Sequence, residues 1–129
     1  MSRVHGDPAQ AVLAAIEASR AAAETLGLKA TVAICDGGGH LLGLYRDPQA
    51  LLASLESAQS KARTALYFGV ESRLLPSQAP ITPALLAAAS LPLAFLPGGI
   101  PLRDRTGTLW GAVGVGGGTP EQDQEVAQK

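Results

Sequence analysis

From residue 8 to residue 26 apolar side chains return at helical intervals. Val12, Ile16, Ala23 and Leu26 fall on one side, while Glu17, Arg20 and Glu24 lie elsewhere, the division an amphipathic helix needs. Asp7 can cap this helix, Pro8 suits its first position, and Gln10 stands where a capping box closes. Gly27 supplies a left-handed stop. The pattern then changes. "KATVAIC" (29–35) and "HLLGLYR" (40–46) are apolar on both faces and predict two strands. Asp36-Gly37-Gly38-Gly39 joins them with the length and composition of a hairpin turn. Two-sided apolarity implies cover on both faces, by helices or by helices and a partner subunit.

Asp47-Pro48 repeats the first start signal and Gly69 repeats the stop, so a second helix is predicted over about 48–68. Its apolar face, Leu51, Leu55, Ala58, Ala62, Ala65 and Leu66, is rich in alanine and suits close packing on a sheet. "ITPALLAAAS" predicts a short helix capped by Thr82, with Pro83 at its start. Pro76, Pro80, Pro92 and Pro97 break the surrounding chain into loops. Residues 98–104 predict a strand in which Pro101 signals an edge, a bulge or the strand start. After a turn at 105–107, "TLWGAVGVGG" predicts the last strand. Its glycines let another backbone or a ligand come close. Thr119, Pro120 and Gln122 give the final helix a complete start signature. Hairpins separated by helices make an α+β domain with a mainly antiparallel sheet.

Composition narrows the picture. A length of 129 residues implies one domain. With 47% hydrophobic but only 4% aromatic residues, the core is built from small aliphatics. These bury less area each, so association of subunits is expected to complete the burial. A net charge of −1, with no basic cluster beyond Arg103–Arg105, argues against nucleic-acid binding. The single Cys35 excludes an internal disulfide and reads as a small buried residue. No apolar run has membrane-spanning length, and the first residues carry no apolar signal core, so a cytoplasmic protein is expected.

Several chemistries fail on spacing. The glycines at 37–39 lead into a strand, not a helix, and no Lys-Ser follows, so neither a nucleoside-phosphate loop nor a dinucleotide fingerprint is present. His5, His40 and Cys35 do not make a closed zinc site, and no metal site is expected. No nucleophile elbow occurs. "GVGGGTPE" (114–121) runs into a helix start, where backbone amides and the helix dipole attract an anion; otherwise it is a tight strand-to-helix corner. Asp36, Arg46 and Lys61 are charges in apolar surroundings. Lys61 lies among Ala58, Ala62 and Ala65, and either faces a ligand or makes a salt bridge at a helix or subunit contact.

Taken together, "VAICDGGGHLLGLYR", "SAQSKARTALYFG" and "GGIPLRDRTGTLWGAVGVGGGTPEQDQEVA" resemble the GlcG/HbpS family of haem-degrading or haem-binding domains, which includes the C-terminal domain of PduO-type proteins. The likeness runs from about residue 9 to 127. It implies a profilin-like five-stranded antiparallel sheet with helices packed against it, the fifth strand near Leu91–Leu96. It also implies a homo-oligomer, often an octamer, and a small-molecule ligand such as haem or another tetrapyrrole. On that basis Arg46 and Lys61 would pair with propionates or another acidic group. Gly98, Gly99, Gly116, Gly117 and Thr119 would offer close approach and amide donors, and His40, at the hairpin turn, is a secondary candidate as haem ligand. The chain departs from the family where Arg46-Asp47-Pro48-Gln49 replaces Arg-Met-Asp-Gly. It departs again where Gly116-Gly117-Gly118 replaces Val-Ser-Gly, removing a hydroxyl. No histidine lies in the first helix or over 98–118. Two other readings follow: an enzyme or accessory acting on a small carboxylic acid in glycolate- or diol-type metabolism, using Lys61 and Asp36, and a structural assembly module without catalysis.

Overall fold

The alanine-rich stripe and the glycine-rich last strand are partners. In the computed structural model, which describes residues 8–128, the chain runs α1 (Pro8–Thr25), β1 (Thr31–Asp36), β2 (Leu41–Arg46), α2 (Ala53–Phe68), a 3₁₀ turn (Ser72–Leu74), α3 (Thr82–Ala88), β3 (Gly99–Arg103), β4 (Leu109–Gly116) and α4 (Pro120–Ala127). The strands form one sheet in the order β2-β1-β4-β3, with every neighbouring pair antiparallel. The α+β class is therefore as the pattern implies. Pro101 lies in an edge strand, opposite Ala112, where its missing N–H costs least. Among the described residues no helix is long and apolar enough to cross a membrane.

Helices cover both faces of the sheet. Val32, Ile34, Val113 and Val115 meet Val12 and Ala23 of α1 and Val126 and Ala127 of α4. On the other face Cys35 and Ala112 meet Ala62, Ala65 and Leu66 of α2. Small residues bring α2 almost onto the sheet. A Cβ on Gly114 would lie 2.0 Å from the Ala58 carbonyl oxygen, and one on Gly99 would lie 2.3 Å from that of Lys61. The backbone that these glycines admit is that of α2.

Three local expectations are corrected. The sheet has four strands among the described residues, not five. Residues 91–96 are tied to the side of α2 instead: the Arg63 guanidinium donates to the Pro92 carbonyl, and Ala94 N–H donates to Thr64 Oγ1. Phe95 is buried edge-on against Phe68, with ring centroids 5.5 Å apart. The second helix begins at Ala53 rather than near 48, because Asp47 closes a turn. Its Oδ1 accepts from Gln49 N–H at 2.8 Å, and its carbonyl accepts from Ala50 N–H. Leu51 consequently lies outside the packed stripe and is 73% exposed. Thr82 is the first residue of α3 rather than its cap, and its hydroxyl donates to the Pro76 carbonyl.

The remaining punctuation is as expected. Gly69 ends α2 in the left-handed region, and Thr119 and Gln122 form a complete capping box on α4. The proposed Asp7 cap on α1 lies outside the described residues.

Candidate functional site

Two places hold the candidate residues, one at each end of the sheet. The first is the corner where β4 turns into α4. Lys61 points from α2 across the end of β4, donating to the Val115 carbonyl at 3.0 Å and to Asp123 Oδ2 at 2.7 Å. Both side chains are almost wholly buried. The other carboxylate oxygen of Asp123 accepts from Gly118 N–H at 2.9 Å. The anion that the glycine corner and helix start invite is thus the chain's own Asp123, set in the first turn of α4, where the dipole favours it. Lys61 takes the salt-bridge role within one chain. A cleft of about 290 Å³ opens above the pair, between Leu51 and Leu96 at the rim and Gly117, Gly118 and Ser57 on its walls.

The other predicted members of this cluster are also engaged. Arg46 caps carbonyls of the following turn, donating to Asp47, Pro48 and Ala50 at 3.2–3.4 Å. Thr119 Oγ1 accepts from Gln122 N–H. Gly98, with φ at +124°, turns its N–H toward Gln124 Oε1. Gly99 N–H goes to the hydroxyl of buried Ser72, while Gly116 and Gly117 abut Ser54, Ser57 and Lys29. Asp123, Gln124 and Ser72 were not among the residues singled out from sequence. An acid in the first turn of α4 is a local signal for Asp123. Its pairing with Lys61, 62 positions away, has none.

The second place is the β1–β2 hairpin apex. Asp36 Oδ1 accepts from Gly38 N–H at 2.9 Å and His40 N–H at 3.0 Å, and Gly39 completes the turn at φ +85°. The backbone N–H groups of His40, then of Gly38, hold the Asp36 carboxyl below the usual carboxylate range. The His40 ring turns Nδ1 toward the same oxygen at 3.4 Å, and its side chain is 82% exposed. Leu41, Leu42 and Tyr67, each about half exposed, lie around the turn. The Tyr67 ring abuts Gly39. Cys35, next to Asp36, is buried, and burial pushes its thiol up, away from the reactive thiolate.

These two places are far apart. Strand β2 separates His40 from Arg46, a rise of roughly 20 Å. Arg46 is turned to the carbonyls of its own turn and Lys61 to Val115 and Asp123, so neither is directed toward the hairpin apex. Asp36 and Lys61 do not converge either. Among the described residues no group of three His, Cys, Asp or Glu side chains is placed to hold a bare metal ion.

A family model described as haem degrading protein HbpS-like matches residues 8–129. The corrinoid adenosyltransferase PduO of Citrobacter freundii is 34% identical over 109 residues. The match covers 82% of this chain but 32% of that protein, so the chain spans about a third of that relative's length. Among solved structures, the complex of PduOC with haem is similar with a TM-score of 0.76 at 31% identity, covering 90% of this chain and 86% of that one. A double mutant of HbpS from Streptomyces reticuli gives a TM-score of 0.84 at 27% identity, covering 99% and 86%.

Proposed function

Because the chain belongs to the HbpS-like family of haem-degrading proteins, we propose that it binds haem at the hairpin apex, with His40 as the iron ligand, and that it works as a homo-oligomer. The observation that carries the reading is the His40–Asp36 pair. A histidine that ligates a metal usually offers its other ring nitrogen to a carboxylate or carbonyl, which fixes the ring and raises its basicity. Here Nδ1 faces Asp36 and leaves Nε2 outward on an 82% exposed side chain. A haem needs only an axial ligand from the protein, so one placed imidazole suffices where a bare metal ion would need several groups. Half-exposed Leu41 and Leu42, consecutive in β2 and so on opposite faces of it, set an apolar side chain beside the hairpin apex on either side.

Titration with haem, followed at the Soret band, tests this. The unmodified protein is expected to give a saturable shift. His40→Ala should weaken binding at least tenfold, and Asp36→Asn by about tenfold, in the range of outer-shell carboxylate losses. Unchanged affinity in His40→Ala, or no saturable shift at all, would sink the reading.

Oligomerisation rests on exposed apolar surface. Leu13, Leu41, Leu51, Leu52, Leu74 and Ile81 are each more than half exposed, apolar surface that association of subunits would cover. Light scattering at micromolar protein is expected to return a multiple of the monomer mass, and a monomer would contradict it. The rival reading, chemistry on a small carboxylic acid by Lys61 and Asp36, needs two groups that the sheet holds at opposite ends.

A further inference from the structure

The cleft over Lys61 and Asp123 is separate from the hairpin apex, and its chemistry points to a different ligand. An ammonium carries three N–H donors. Two of those on Lys61 are accepted, by Val115 and Asp123, and the side chain is nearly all buried. The third has no acceptor among the described residues. The Lys61 side chain also lines an open cleft, from which an acceptor can reach the remaining N–H.

That acceptor is not an anion. Asp123 already balances the charge of Lys61, and its second oxygen takes Gly118 N–H. Gln122 N–H is spent on the Thr119 cap. An incoming carboxylate would find no uncompensated positive charge on Lys61, and it would face Asp123 at short range. A neutral carbonyl or hydroxyl oxygen meets the remaining N–H without that repulsion. Ser57, half-buried on the wall and with no hydrogen-bond partner of its own among the described residues, offers a hydroxyl alongside. Leu51 and Leu96, 73% and 48% exposed at the rim, supply apolar contact. A cleft of about 290 Å³ has room for a small molecule.

We infer that this cleft binds a small, uncharged, partly apolar molecule through a carbonyl or hydroxyl oxygen that accepts from Lys61. The test is an amide-resolved NMR titration of the full chain with 2-butanone, set against butyrate, an anion of similar size. Butanone is expected to give saturable shifts at Ser57, Gly117 and Gly118, and butyrate to bind at least tenfold more weakly. Ser57→Leu, which fills the cleft, should abolish the shifts. Leu51→Ser, at an exposed position that leaves the fold alone, should weaken binding several-fold. Linear shifts with butanone, butyrate binding as tightly, or saturable shifts that persist in both variants would overturn the assignment. None of these outcomes depends on haem binding at His40.

Discussion

Gly114→Ala is expected to lower stability by about 3 kcal/mol or more, the upper end of what overpacking a filled interior costs. The added methyl would lie 2.0 Å from the Ala58 carbonyl oxygen, 2.6 Å from Ala62 N and 3.0 Å from Ala62 Cβ. The first two are backbone atoms of α2, so no rotamer change relieves the contact. The helix itself must lift from the sheet, opening the layer that Ala58, Ala62 and Ala65 close. Small domains are stable by about 5–15 kcal/mol in all, so one methyl consumes a large share, and Gly114→Val should prevent folding altogether. Gly37→Ala is the control. Its methyl would meet only the Trp110 carbonyl oxygen, at an ordinary 3.8 Å, and should change stability by less than about 0.5 kcal/mol. Urea denaturation of the three variants decides the matter. If Gly114→Ala unfolds with the control, α2 does not lie as close as described.

The same glycines show what was legible in the chain. That residues near 98–99 and 114–118 permit a close approach could be read directly, because only glycine makes it possible. Whether a ligand or a helix comes close could not, since the answer depends on where a segment some fifty residues earlier packs. The hairpin apex was readable throughout, because Asp36, Gly39 and His40 meet within one turn. So was the α4 capping box, which is local in the same way. Asp47-Pro48 misled because an aspartate closing a turn and an aspartate capping a helix look alike until the next hydrogen bonds are known. The strand expected at 91–96 came from family likeness alone. The residues there, between Pro92 and Pro97, find their partners in the side chains of Arg63 and Thr64. In the candidate site, Lys61 stood out as a cation among alanines, but its partner arrives from the last helix.

That partner makes Lys61→Met the second decisive substitution, with an expected loss of about 3–5 kcal/mol, the cost of breaking a buried ion pair from one side. Methionine fills nearly the same space, so the loss is electrostatic: the Asp123 carboxylate stays buried with only Gly118 N–H to stabilise it. Asp123→Ala should cost at least as much, because it strands the ammonium and also removes the acceptor for Gly118. The informative variant carries Lys61→Met together with Asp123→Leu. A buried pair replaced by apolar groups of similar volume is often tolerated, though here Gly118 N–H still lacks an acceptor. The double variant should therefore be more stable than Lys61→Met alone predicts when the two losses are added, with a coupling of about 1–3 kcal/mol. Simple additivity would show that Lys61 and Asp123 do not act as a pair. Haem titration of Lys61→Met, at a temperature where it is folded, completes the argument. The apex and the corner are separated by the length of a strand, so an affinity equal to that of the unmodified protein is expected. A tenfold loss would instead place the corner in the haem site.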